Sequence, residues 1–245
     1  HGRVAERLEL GARETHRSQR TTGDHHGPMA HPYWPLFDLE VRTPRLTLRG
    51  LTDELAVELA ALAARGIHDD DFMPFSMPWS RRPSPELERQ ALQFYWRCRA
   101  EMSPASWKMD FAVVVDGEVV GTTGLIANDF PRMKQFETGS WLGREHQGRG
   151  IGKEMRLATL ALGFDGFGAE WATTGAWHDN GPSLGVTNSL GYSVAGHRRA
   201  VRDDREPDTL LGFEMPRAHY DEHLRRDDIE LVGVEPVQEL LGISG

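Results

Sequence analysis

The chain has 245 residues, of which 39% are hydrophobic and 27% charged, with a formal net charge of −9; this is the composition of a soluble globular protein. No apolar run approaches the ~20 residues that a membrane helix needs, and the negative balance argues against a broad grip on nucleic acid. The single cysteine, Cys98, excludes an intramolecular disulfide or a CxxC metal site and fits a reducing cytoplasm.

Residues 1–28 are polar and Arg-rich, without the apolar core of a secretory signal. They read as a disordered tail or as vector-derived sequence ahead of Met29, and stand outside the fold. FDLEVRTPRLTLRGL (37–51) alternates as a strand, with Leu46 and Leu48 on one face. Thr52 then caps a helix carrying Leu55, Leu59 and Leu62. Residues 68–85 form a Pro- and aromatic-rich loop. Ser84-Pro85-Glu86 caps a second helix to about Arg99, carrying Leu92, Tyr95 and Trp96. FAVVVDGEVVGTTGLI (111–126) is a hairpin turning at Asp116-Gly117. A strand over 136–143 leads through REHQGRGIG into a helix over 150–163, with Ile151, Met155, Ala158 and Leu162 on one face. A strand at 169–177, a short helix at 180–192 ending in Gly191, and strands near 193–202 and 209–215 complete the pattern β-α-α-β-β-β-α-β-α-β-β. The main domain is expected over 29–221. Residues 222–245 form a C-terminal extension, with IELVGV as an added strand and VQELLG as a short apolar tail. It is free to pack on its own domain or on a second subunit, as in a homodimer.

The most informative stretch is QGRGIG (147–152). A glycine-rich turn opening a helix lets an anion, typically a phosphate, approach bare backbone at the positive end of the helix. The stretch is not a Walker A loop, since GxxxxGK[ST] is absent, and it lacks the third glycine of a dinucleotide fingerprint. A purely structural turn is the remaining alternative.

QGRGIG matches the Q/R-x-x-G-x-G/A loop of the GCN5-related N-acetyltransferases (GNAT). DNGPSLGVTNSLGYSVAG (179–196) matches their Asn-x-x-Ser followed by Leu-Gly-Phe/Tyr, and RTPRLTLR (42–49) resembles the entry strand of the RimJ/RimL-like branch. With the strand, loop and helix order, the chain resembles that family over roughly 41–217. The resemblance implies an α/β fold, a mixed sheet whose central strands, 136–143 and 169–177, splay into a notch for the pantetheine arm of an acyl-CoA. Trp141, Leu142 and Gly143 would present backbone to that arm. The pyrophosphate would lie on the amides of Gln147, Gly148, Arg149, Gly150, Ile151 and Gly152. Asn180 would contact the pantetheine, and Ser183 the thiol or the phosphates. Asn180 and Ser183 equally suit a helix start.

The implied reaction moves an acyl group from acetyl-CoA, or another acyl-CoA such as succinyl-CoA, to an amine acceptor, a protein N-terminus or a small molecule. Transfer would be direct, in a ternary complex. A catalytically silent acyl-CoA-binding module is the alternative. A neutral amine requires a base or a water relay. Glu137, on the notch strand, is the leading base, against a solvent-facing carboxylate or a pairing with Arg132 or Lys134. His178 is the second candidate, against a surface histidine. Many relatives carry a tyrosine acid seven residues after the Asn; here Thr187 stands there, leaving Ser183 or water. Phe72, Phe75 and Trp79, with Met73 and Met77, would wall the acceptor or else lid the core. Asp69, Asp70 and Asp71 would attract a cationic amine or simply be a solvated run. No His/Cys/Asp cluster has metal-ligand spacing, so no metal is expected.

Overall fold

In the computed structural model, which describes residues 30–202 and 206–243, the alternating stretch 37–51 folds as two strands, not one. Thr43 supplies the reason. Its Oγ1 accepts the amides of Arg45 (3.2 Å) and Leu46 (3.1 Å), a side-chain turn that reverses the chain. The result is the hairpin β1 (Glu40–Arg42) and β2 (Thr47–Gly50). The N-terminal segment assigned above to a tail lies outside the described residues.

Helix α1 (Asp53–Arg65) begins as its cap predicts: Thr52 Oγ1 accepts the Leu55 amide at 3.3 Å, and Leu55, Leu59 and Leu62 are buried. Helix α2 (Glu86–Ala100) differs from expectation at its start. Ser84 does not cap backbone; its hydroxyl donates to Glu88 Oε1 at 2.6 Å. Trp96 is largely exposed and donates to Asp53 rather than entering the core. The long hairpin β3 (Ser106–Val115) and β4 (Glu118–Asn128) turns at Asp116 and Gly117, both with positive φ.

There follow α3 (Phe130–Met133), β5 (Gln135–Leu142), α4 (Ile151–Ala161), β6 (Trp171–Trp177), α5 (Gly181–Ser189), β7 (Ser193–Ala200) and β8 (Asp208–Pro216). The chain ends in α6 (Arg217–His223), β9 (Glu230–Val232) and α7 (Val234–Leu241). The C-terminal extension packs on its own sheet. Strand β9 pairs with β1, and Val234, Val237 and Leu241 enter the main core. The apolar tail is the helix α7, closed by Gly242.

One nine-stranded sheet results, in the order β7-β8-β6-β5-β4-β3-β2-β1-β9. Helices α1 and α2 cover one face, packing Leu55, Leu59 and Tyr95 on Ala112 and Val119. Helix α4 crosses the other face and is buried on nearly every side; Met155, Leu157 and Leu160 join Leu48, Val113 and Phe136. Among the described residues β5 and β6 are the one parallel pair, and only three rows connect them: Gln135↔Trp171, Phe136↔Ala172 and Glu137↔Thr173. Beyond Glu137 the strands part. This is the mixed α/β sheet with a splayed centre that the sequence leads one to expect. Among the described residues, no helix is long and apolar enough to cross a membrane.

Candidate active site

Threonine hydroxyls reinforce the apex of the cleft where backbone pairing stops. Thr138 Oγ1 donates to Thr173 O (3.3 Å), and Thr174 Oγ1 to Thr138 O (3.1 Å). Above them the facing edges of β5 and β6 have no partner strand among the described residues. An unpaired strand edge is the surface to which an extended, amide-bearing arm adds. Some of the backbone assigned to that arm is already engaged. The Gly143 amide donates to Val120 O (3.0 Å), and Leu142 O accepts from Gln147 Nε2 (3.0 Å).

Gln147 is the clamp of the glycine loop. Its Nε2 also donates to Ile67 O (2.9 Å), and its amide to Arg144 O (3.3 Å), so the side chain ties the loop to α1 and β5. The amides of Gly148, Arg149 and Gly150 donate to no acceptor among the described residues. Gly148 and Gly150 have φ of 72° and 78°, and Gly150 is the N-cap of α4. Free amides in left-handed turns at a helix N-terminus form a cradle for an anion. Ile151 is buried on the helix, and a Cβ at Gly152 would meet Val186 and Leu142 at ordinary contact distance. Arg45, not singled out from the sequence, braces the loop by donating Nη2 to Arg149 O at 2.8 Å. Losing one such bond costs about 1 kcal/mol, so Arg45→Met is expected to weaken binding of a phosphate-bearing ligand at this loop about fivefold. Calorimetric titration checks this; unchanged affinity would show that the brace is idle.

Asn180 caps α5, accepting the Ser183 amide at 3.3 Å, so the helix-start alternative is realised in the fold. Ser183 is half-buried, whereas Thr187 is fully buried and its hydroxyl has no hydrogen-bond partner among the described residues.

The aromatic loop roofs the wide end of the cleft. Phe75 packs on Trp79 (centroids 5.2 Å apart), and Trp79 on Trp141 of β5 (6.0 Å). Phe75 and Trp79 also rest on the small cluster Ala63, Ile67 and Leu87, which they cover as a lid on that part of the core. On the far side Arg202 ties the loop to the end of β6. It is 2% exposed and donates to Met73 O (3.0 Å), Asp179 Oδ1 (2.8 Å) and Asp208 Oδ2 (2.9 Å), with Trp177 and Phe72 against its guanidinium. The Arg202 bond holds the Asp179 carboxyl below the usual range. His178 Nδ1 lies 2.9 Å from Asp208 Oδ1. Ligand atoms of His178, Asp179 and Asp208 gather within 4.8 Å of one another, a cluster that sequence spacing conceals. Both carboxylates already accept from Arg202, whose charge opposes a metal cation. Of the acidic run, Asp69 pairs with Arg144 at 3.6 Å and the Asp70 carbonyl accepts from Arg81.

Glu137 stands exposed at the apex, on the face covered elsewhere by α1 and α2. Arg132 pairs with Asp129 instead, and Lys134 lies over the Phe130 ring. Glu137 has no side-chain partner among the described residues. One row above it the sheet is bare. Gly139 on β5 and Gly175 on β6 each lie two residues beyond the last paired row, Gly175 pairs with Gly212, and Gly212 with Gly196. A Cβ at Gly139 or Gly196 would meet nothing within 4 Å. The cleft is therefore flanked by an open trough of backbone, with Glu137, Thr173 and Glu214 along one side.

Comparison with known proteins agrees with this geometry. The family model described as "Acetyltransferase (GNAT) domain" matches residues 45–193. A GNAT-family acetyltransferase structure from Chromobacterium violaceum superposes with a TM-score of 0.61 at 15% identity, over 84% of this chain and 100% of that one. A GCN5-related N-acetyltransferase from Brucella melitensis gives 0.60 at 19%, over 77% and 85%. A structure assigned as a ribosomal-protein-serine acetyltransferase, from Vibrio cholerae, gives 0.56 at 22%, over 74% and 98%. At such identities the superpositions speak to fold. With the family match spanning more than half of the chain, and with the splayed strands and the glycine cradle in place, the protein belongs to the GNAT acetyltransferase family.

Proposed function

We propose that the protein is an acyl-CoA-dependent N-acyltransferase that acylates a primary amine by direct transfer in a ternary complex. The observation that carries this is the cleft itself: parallel strands that part after Glu137, beneath a loop whose amides at 148–150 are free. These residues fit an acyl-CoA. Gly148 to Gly152 would hold the pyrophosphate, and Trp141, Leu142 and Gly143, opposite Asn180 and Ser183, would line the arm. When bound, the donor supplies a thioester, whose C–S bond breaks as the amide C–N bond forms and CoA leaves as the thiol. Direct transfer is supported by the state of the one cysteine. Burial pushes the Cys98 thiol up to about 11, with Asp110 adding to the effect, so it is a poor acyl carrier.

Glu137 is assigned as the proton acceptor for the amine and Ser183 as the hydroxyl nearest the leaving thiol. Leu142 and its neighbours on β5 offer backbone donors for the developing oxyanion. Removing a general base costs about 10²-fold or more, so Glu137→Gln is expected to lower kcat about 100-fold while leaving CoA affinity in place. A fall of less than about fivefold would move the proton to a water relay.

The acceptor is assigned as a chain with a free N-terminus, in keeping with the RimJ/RimL-like motifs and the Vibrio neighbour's description. The open glycine trough admits an extended backbone, and Glu137 and Glu214 favour a cationic end. The aromatic loop, with Phe72, Phe75 and Trp79, closes over it. Mass spectrometry of N-terminal peptides beside spermidine tests this; modification of spermidine alone would assign a small-molecule acceptor. A cytoplasmic setting rests on the lone thiol.

A further inference from the structure

Helix α4 carries one charge in its second turn that nothing above uses. Arg156 is 5% exposed and lies beneath the cleft on the face opposite Glu137. Its guanidinium spans the point at which the strands part: Nη1 reaches Thr174 Oγ1 on β6 at 3.3 Å, and Nη2 reaches Ser140 Oγ on β5 at 3.4 Å. Both contacts are long for an N–H donor. Both acceptors are neutral hydroxyls, and Nε has no partner among the described residues. Among the described residues no carboxylate pairs with Arg156, whereas Arg42, Arg99, Arg202, Arg217, Arg225 and Arg226 all have one.

Burying an unpaired guanidinium is strongly unfavourable, and stitching two hydroxyls together does not require a cation. Threonine hydroxyls already hold the apex without it. The fork of a guanidinium matches a carboxylate with two parallel bonds, and the loose hydroxyl contacts are easily exchanged for such a pair.

We propose that Arg156 is the receptor for a carboxylate at the far end of the acyl group. The preferred donor would then be the CoA thioester of a dicarboxylic acid, of the succinyl type, and not acetyl-CoA. This rests on the acyltransferase reading of the same cleft. The arm would enter from the glycine loop and run toward the apex, so its acyl end points to the place where Arg156 bridges β5 and β6. The guanidinium touches no reacting atom; it selects the donor and aligns it.

The test is calorimetric titration of the full chain with free CoA, acetyl-CoA, succinyl-CoA and glutaryl-CoA. A site built around a charge discriminates strongly against a ligand that lacks the partner. The wild type is expected to bind a dicarboxylic thioester at least about tenfold more tightly than acetyl-CoA. Arg156→Gln should erase that difference while free CoA binds within about twofold of wild type, and Arg156→Lys should recover part of it. Initial rates with an N-terminal peptide should follow the same ratio. Equal wild-type affinity for the acetyl and dicarboxylic donors would overturn the proposal without any variant. So would a Gln variant that weakens acetyl-CoA as much as succinyl-CoA, which would make Arg156 a spacer of the strands or a thioester contact. Failure of every CoA species to bind would instead remove the acyltransferase reading on which the proposal stands.

Discussion

Replacing Gly150 with glutamate is expected to raise the dissociation constant for CoA at least about 100-fold, the equivalent of about 2.7 kcal/mol. Three effects act together. Gly150 caps α4 at φ 78°, a conformation that costs a residue with a Cβ about 1–2 kcal/mol. The new Cβ would stand 3.2 Å from Arg45 Nη1, crowding the brace on the loop. The carboxylate would then place a negative charge where free amides and the helix N-terminus favour the pyrophosphate. Gly150→Ala keeps the first two effects and not the third, and is expected to cost less, about tenfold. Titration with free CoA, beside a melting curve to confirm that the fold persists, separates binding from stability. Wild-type affinity in a folded Glu variant would show that the loop is a structural turn.

Arg202→Met should destabilise the fold by about 3 kcal/mol, because it leaves Asp179 and Asp208 side by side without the guanidinium that pairs with both. For a domain of this size that corresponds to a fall in Tm of about 8 °C. The sign with pH follows from Asp179, whose folded carboxyl titrates below its unfolded value because Arg202 donates to it. Such a group contributes stability that is present above the unfolded value, near 4, and lost as pH falls through the lower folded value. The gap between wild type and variant is therefore widest above about pH 5 and narrows toward pH 3. Parallel stability curves across that range would remove Arg202 from this role. The Met73 contact predicts a second consequence: the aromatic loop loosens, and limited proteolysis within 68–82 becomes faster in the variant.

Much of the fold is legible in local pattern. Thr52, the Asp116-Gly117 turn and the apolar spacing along α1 and α4 each act through neighbours a few residues away, and each appears as expected. The first strand is misread because a turn made by one hydroxyl, that of Thr43, leaves the two-residue alternation intact on either side. The C-terminal helix is misread as a tail because its partners, in the core beneath β1, lie nearly two hundred residues away.

The candidate site divides in the same way. The glycine loop could be read because its left-handed turns at a helix start need closely spaced glycines. Arg45, Arg156 and Arg202 could not, although one signal for Arg156 was present: beyond the first turn of α4 it is the single charge in the stretch 155–164, which is otherwise apolar apart from Thr159. The sequence by itself determined the order of elements, the glycine turn at 147–152 and the family motifs, because these rest on short-range spacing and backbone conformation. Only the tertiary structure decided how far β5 and β6 stay paired, which carboxylates Arg202 neutralises, and that Arg156 lies beneath the cleft without an acid. Ion pairing and burial depend on groups brought together from distant parts of the chain, and no local spacing encodes them.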